Sequence, residues 1–340
     1  MKYYDTRSTT NIVKTEKSVM KILKTIGKVI AIILGAIVVL LLIASIHYRI
    51  KVHSTMNQLK ESGYCNLVSA GDYKLNVLKV GNESGKHKIV CCSGLNDGTM
   101  NFSWRNMTKD IEKDNQLIFI DRAGYGFSED TKTDRTVEKV VEDYRTVLKN
   151  MGEEGPYILL GHSISGLYTS YWQNKYPDEI EGVIIMDGTL CTKVDEKEGQ
   201  GFKRQWYNLS FSEKIGLEPF VMKKIYGELT DIMSKKELDM NLYMFSKTTG
   251  AHATISEAEM AYPNAKTVLD NLEPNNIPKL FIDATYHFDE KHEDKEAYWA
   301  PFEEKIGNCE LVSLHGTHAI YMDHADECAK IIKEHIDNLE

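Results

Sequence analysis

Residues 155–166 read Gly155-Pro156-Tyr157-Ile158-Leu159-Leu160-Gly161-His162-Ser163-Ile164-Ser165-Gly166. The run 157–160 is short and wholly apolar, as a buried strand is. After it Leu167, Tyr168, Tyr171 and Trp172 recur at the three-to-four spacing of a helix packed on one face. Between the two lies Ser163, two residues after a glycine. That is the outline of a sharp strand-to-helix turn, which pushes a serine hydroxyl into the open at the start of a helix. Strand and helix backbones nearly touch in such a turn, so tiny residues are needed two before and two after the serine. Gly161 meets the first need. Ser165 takes the second place, small but not glycine, with Gly166 directly behind it. A glycine and two serines at a strand end also make an ordinary turn, so the neighbouring segments have to decide what Ser163 is for.

Outward from this stretch, short apolar runs recur at 87–92, 116–121, 182–187, 279–283 and 310–314. Helical periodicity fills much of 135–150. Residues 72–80 alternate polar and apolar, which predicts an antiparallel hairpin at a sheet edge. Apolar strands alternating with amphipathic helices predict a mostly parallel sheet with helices on both faces. The beat breaks between about Leu190 and Asn276. That segment is aromatic-rich and helix-like, and is expected to be a cap inserted after the strand at 182–187. Its Phe202, Trp206, Tyr207, Phe211, Phe220 and Met222 suggest an apolar roof over a pocket, or simply buried packing within the cap.

The chain has 340 residues, 42% hydrophobic and 27% charged, enough for a large core and too few charges for a disordered chain. No internal repeat is visible. Residues 29–46 form an 18-residue run without a charge, rich in Ile, Leu and Val. Extended back to Ile26 it holds 21 residues, roughly 31 Å of helix, enough for a bilayer core. A cleaved signal peptide is the rival reading, but the run is long for one and no small-x-small site follows it. The expected organisation is a basic cytoplasmic segment at 1–25, a transmembrane signal anchor at 26–46, a polar tether at 47–63 and a folded body at 64–340 with its cap at about 190–276. Seven basic residues precede the uncharged run 29–46 and only Arg49 and Lys51 follow closely, so the positive-inside rule places the body outside the cell. Residues 1–51 carry nine Lys and Arg against two acids. With −9 overall, residues 52–340 hold −16. So acidic a body repels phosphates, and neither nucleic acid nor an anionic lipid surface is expected as its ligand. The six cysteines include no C-x-x-C pair, which gives no sign of a zinc or thioredoxin-like site. Four N-x-S/T sequons are expected in an Asn-rich chain by chance.

After the strand at 116–121 the chain reads Asp121-Arg122-Ala123-Gly124-Tyr125-Gly126-Phe127-Ser128. The glycines permit a tight loop, and Asp121 and Arg122 can tie it down. At this point the chain resembles the α/β-hydrolase family, which often carries D-x-x-G-x-G-x-S here. The other landmarks follow in the family's order: Ser93-Gly94-Leu95, this loop, the Ser163 turn, then Gly316-Thr317-His318 near the C-terminus. The resemblance spans roughly 64–340. It implies an eight-stranded, mostly parallel sheet, Ser163 as nucleophile and His318 as general base. It implies an oxyanion hole from the backbone N–H groups of Leu95 and Ile164. Ser93 stands where many members have His, which leaves the backbone donor in place. His315 belongs to the strand end and His324 to the next helix.

The acid is open between two positions. Most members place it after the penultimate strand, where Asp289 could serve if the loop is two residues longer; Asp283 belongs to the strand. Some relatives, pancreatic-type lipases among them, carry it after the strand that follows the nucleophile helix, where Asp187 stands. The run 287–294, with His287 and His292, is five apart in its histidines and so off a common helical face, which argues for a solvated acidic helix start over a metal site. No G-x-G-x-x-G or Walker A motif is present, so no cofactor or metal is expected. The reading is a membrane-anchored serine hydrolase of a small-molecule ester, with an amide or peptide bond as runner-up. A catalytically silent binding protein on the same fold is the alternative.

Overall fold

The structure, a computed structural model, describes residues 6–98, 100–215, 241, 244–286 and 294–339. In chain order its principal elements are α1 (Thr6–Leu59), β1 (Leu67–Ser69), β2 (Lys74–Gly81), β3 (Lys88–Cys92), α2 (Met100–Ser103), α3 (Arg105–Ile111), β4 (Gln116–Ile120), α4 (Val137–Asn150) and β5 (Tyr157–His162). Then follow α5 (Ser165–Lys175), β6 (Ile180–Met186), α6 (Glu196–Lys214), α7 (His252–Glu259), α8 (Ala261–Asn271), β7 (Lys279–Ala284), α9 (Lys295–Ile306), β8 (Glu310–Leu314), α10 (Ile320–Asp323) and α11 (Ala325–Asp337).

The strands form one eight-stranded sheet in the order β1-β2-β4-β3-β5-β6-β7-β8. β2 runs antiparallel to β1 and β4, and every later pair is parallel. The alternating segment 72–80 thus supplies β2, the antiparallel strand one in from the edge strand β1, and the apolar runs supply the interior. β4, β5 and β7 are buried at every residue because helices cover both faces. On one face α4, α5, α8 and α9 pack through Val140, Tyr144, Trp172, Val268 and Phe302. On the other, α3 and α11 bring Met107, Ile111, Ile332 and Ile336. The sequence explains α4 well. Thr136 caps its N-terminus by accepting from the Lys139 amide at 3.2 Å, and Val137, Val140, Val141, Tyr144, Val147 and Leu148 make one buried stripe.

Between β6 and β7 the described residues hold α6, α7 and α8 and no strand. The hydrolase-like body and α1 meet at the end of α1. Met56 and Leu59 are buried with Phe127 and Met244, against Tyr64, Cys65 and Phe102. The stretch expected as a tether is therefore helical as far as Leu59 and packed onto the body. All six cysteines are free thiols, four of them buried. Among the described residues one helix is long and apolar enough to cross a membrane, from Ser18 to Leu59.

Candidate active site

Ser163 lies between β5 and α5 with φ of 55°. The left-handed region costs a non-glycine residue of order 1–3 kcal/mol, so the surroundings must impose it. They do so through its backbone. Ser163 N–H donates to Met186 O at 3.3 Å, and its carbonyl accepts from Gly166 N at 2.9 Å and Thr189 N at 2.8 Å. The need for tiny residues is met at Gly161 and Gly166. A Cβ at Gly161 would come within 2.9 Å of the Ile185 Cδ1, and one at Gly166 within 2.8 Å of the Thr189 carbonyl. Ser165 fits because its hydroxyl is used: Oγ donates to the Ser93 carbonyl at 2.5 Å.

His318 stands in the loop between β8 and α10. Its Nε2 is 2.9 Å from Ser163 Oγ, and its Nδ1 contacts Asp187 Oδ2. An ionised carboxylate only accepts, so Nδ1 carries the proton and the Nε2 lone pair faces the serine hydroxyl. Asp187 ends β6 with φ of 40° and is anchored to β7: its N–H donates to Ile282 O at 2.7 Å, and its Oδ1 accepts from Ala284 N at 3.2 Å. Its other oxygen is thereby aimed at His318. The Asp187 side chain is 2% exposed and that of His318 47%, which puts the carboxylate out of water and the imidazole at its edge. The second acid candidate, Asp289, lies outside the described residues, as do His287 and His292; Asp294 is described and caps α9, accepting from Ala297 N at 3.2 Å. Among the described residues no group of three or more His, Cys, Asp or Glu is placed to hold a metal.

The His318 loop is fastened on both sides. Thr317 donates through N–H at 2.7 Å and through Oγ1 at 2.6 Å to Asp323 Oδ2. From beneath, the His162 Nε2 donates to the His318 carbonyl at 2.8 Å. His162 is buried, and desolvation with the neighbouring His318 holds its pKa down at about 3, so it stays neutral. Its Nδ1 is buried and unpartnered, pressed against Gly94, where a Cβ would lie 2.6 Å away.

Leu95 precedes Asn96 in the loop after β3, and Ile164 follows Ser163 at the start of α5. Neither N–H donates to an acceptor among the described residues, and Leu95 lines the cleft beside Ser163. The loop that carries Leu95 is held by Arg122. That guanidinium donates to Ser93 O at 2.7 Å and Gly94 O at 3.0 Å, and pairs with Glu257 of α7 at 2.9 Å, both side chains at most 1% exposed. Asp121 secures its own loop by accepting from Phe127 N at 3.2 Å, whereas Arg122 reaches away from that loop to the neighbouring one. Ser163, Asp187, His318 and Leu95 open onto a cleft of about 840 Å³ whose far wall is α6 (Phe202, Trp206) and whose rim includes Tyr286.

A family model for the alpha/beta hydrolase fold matches residues 88–213, and the sheet order and the Ser163 turn described above agree with it. The chain has the α/β-hydrolase fold. It is 29% identical over 333 residues to an uncharacterized protein of Bacillus subtilis, YbdG, covering 92% of this chain and 98% of that one. Among solved structures it resembles epoxide hydrolase A from Mycobacterium thermoresistibile, with a TM-score of 0.65, 16% identity and coverage of 81% and 98%. It likewise resembles a thermophilic esterase from Thermogutta terrifontis, with a TM-score of 0.61, 16% identity and the same coverage. At this identity the likeness to solved structures is one of fold.

Within this α/β-hydrolase frame, residues that sequence reading passed over include His162, Tyr286 and Glu257. His162 had a signal, since it is bonded directly to Ser163 in the chain. Glu257, 135 residues beyond Arg122, had none.

Proposed function

We propose that the protein is a membrane-anchored serine hydrolase that cleaves a carboxylic ester through an acyl-enzyme. The observation that carries this reading is the hydrogen-bonded order Asp187–His318–Ser163 at the mouth of the cleft. In this reading His318 takes the Ser163 proton as Oγ attacks the acyl carbon. The imidazolium is stabilised by the buried Asp187, and the oxyanion is received by the N–H groups of Leu95 and Ile164. His318 then returns the proton to the leaving alkoxide. A water, deprotonated by the same imidazole, releases the acid and restores Ser163. The base sits at the solvent edge, which gives that water access. α1 anchors the enzyme, with the N-terminus in the cytoplasm and the body outside. Most of its large apolar side chains between Val19 and Ile50 are exposed, a surface that only lipid covers at low cost.

The test is a fluorophosphonate probe on the full-length protein, wild type beside Ser163→Ala. The wild type labels and turns over simple esters, and the variant does neither. A wild type that neither labels nor hydrolyses would leave the chain a binding protein on this fold.

A further inference from the structure

The cap helix α6 has two unlike faces. Gly201, Phe202, Gln205 and Trp206 line the cleft. On the opposite side Tyr207, Phe211 and Ile215 are 47%, 63% and 41% exposed. At about 100° per residue these three fall within an arc of about 80°. Outside α1, the only other large apolar side chain so exposed among the described residues is Leu67. Exposed Lys197, Arg204 and Lys214 lie along the same side, with one acid, Glu196, at the N-terminal end.

This stripe is placed by α1. Arg49 donates to the carbonyls of Glu213 and Lys214 at 3.5 and 3.3 Å and pairs with the Glu213 carboxylate at 3.4 Å. A cation on the last carbonyls of a helix is a favourable cap. Arg49 is three residues beyond Ile46, the end of the uncharged run, or about 4.5 Å further along the helix. The C-terminal turn of α6, with Phe211 and Ile215 on either side of Glu213 and Lys214, is thus held within one helical turn of the apolar run. Between 41 and 49 the covered positions of α1 are Leu41, Ala44, Ser45 and Tyr48, a single side of the helix that begins inside the uncharged run.

The geometry points to α6 as a second membrane contact: its Tyr207–Phe211–Ile215 stripe lies in the headgroup region of the bilayer that holds α1, and the cleft behind it takes an ester that partitions into that bilayer. This inference rests on the anchored-hydrolase reading above. Aromatic and aliphatic side chains flanked by Lys and Arg are the composition of an interfacial helix. The body's −16 repels an anionic surface at long range, but α1 already fixes the body there; the apolar stripe is flanked by Lys197, Arg204 and Lys214 against Glu196 and against Glu259, which accepts from the Tyr207 hydroxyl at 2.6 Å. With one face in the interface and the other on the cleft, α6 separates lipid from Ser163 by the width of one helix.

The experiment places a photoreactive p-benzoylphenylalanine at Phe211, and separately at Val38 and Lys330, in the full-length protein. The protein is reconstituted in mixed phosphatidylcholine–phosphatidylglycerol vesicles. Lipid adducts are expected at 38 and 211 and not at 330. Adducts at 38 alone overturn this inference and leave the anchor standing; adducts at neither overturn both. A cross-linked dimer through 211 assigns the stripe to a second copy and also overturns it. In parallel, Phe211→Ser with Ile215→Ser, neither residue lining the cleft, is assayed on a long-chain ester in the vesicles and on a water-soluble short-chain ester. A loss of roughly tenfold is expected on the vesicle ester only. Equal losses, or none, overturn the substrate assignment. Lipid adducts at 211 in a wild type that hydrolyses neither ester would refute the hydrolase and with it the substrate class, and leave the membrane contact standing.

Discussion

The hydroxyl of Ser165 donates to the carbonyl oxygen of Ser93 at 2.5 Å. These are two positions at which the chain departs from the common family pattern, glycine at one and histidine at the other. The bond joins the nucleophile turn to the loop that carries Leu95. Arg122 donates to the same carbonyl at 2.7 Å and to Ser93 Oγ at 3.1 Å. Ser165→Ala leaves that carbonyl one donor poorer but not bare, so the stability cost is about 1 kcal/mol. Because the loss falls on the loop that positions the Leu95 N–H, kcat falls several-fold while KM moves little. Steady-state kinetics with a denaturant titration check this; a change confined to KM would place the bond outside the reacting geometry.

Glu257→Gln strips the counter-charge from a guanidinium at most 1% exposed. A buried charge left unpaired costs about 3–5 kcal/mol, far more than the pair contributes over an apolar substitute. The variant therefore loses stability on that scale in urea unfolding. It also loses activity, since Arg122 is the shared anchor of Ser93 and Gly94. A variant within about 1 kcal/mol of wild type would mean that the carbonyls alone hold Arg122.

Much of this was legible in the sequence because it is local. The apolar runs at 157–160 and 182–187 are strands buried on both faces, told from helix segments by their shortness and their Ile and Val content. Gly161 and Gly166 mark a turn where a Cβ has no room. What is not local was not legible. Arg122 reads as a brace for its own loop, yet it crosses to Ser93 and α7, a pairing that depends on the cap's folding. The aromatic residues of α6 read as one roof, but a helix splits them, Phe202 and Trp206 to the cleft and Tyr207 and Phe211 to the outside. The acid stayed open between Asp187 and Asp289 because both strand ends are compatible with the family pattern. The position of His318 beside Asp187 is a fact of three dimensions.

Asp187→Asn keeps the shape of the side chain but removes the acceptor that fixes the proton on His318 Nδ1. The amide can instead donate to that nitrogen, turning the tautomer so that Nε2 no longer accepts from Ser163. By analogy with the same change in serine proteases, kcat should fall by about 10³–10⁴. Asp289→Asn should leave kcat within about twofold. Measured side by side with purified full-length protein, the reverse pattern would move the acid to the loop after β7.

His162 titrates at about 3 in the folded protein against an ordinary value of 6.5. Above pH 6.5 it is neutral in both states and contributes no pH dependence. As pH falls from 6.5 towards 3, the unfolded chain takes up a proton that the folded chain refuses, so stability is lost throughout that window, and no further below it. Between pH 6 and pH 4 this amounts to about 2 kcal/mol. His162→Gln can still donate to the His318 carbonyl but has nothing to titrate. Its stability, measured by urea unfolding at a series of pH values, should fall less steeply than that of wild type between pH 6 and 4, with the two curves parallel above pH 7. Curves parallel down to pH 4 would mean that His162 is protonated in the folded state, and that the His318 loop rests on a cation rather than on a neutral imidazole.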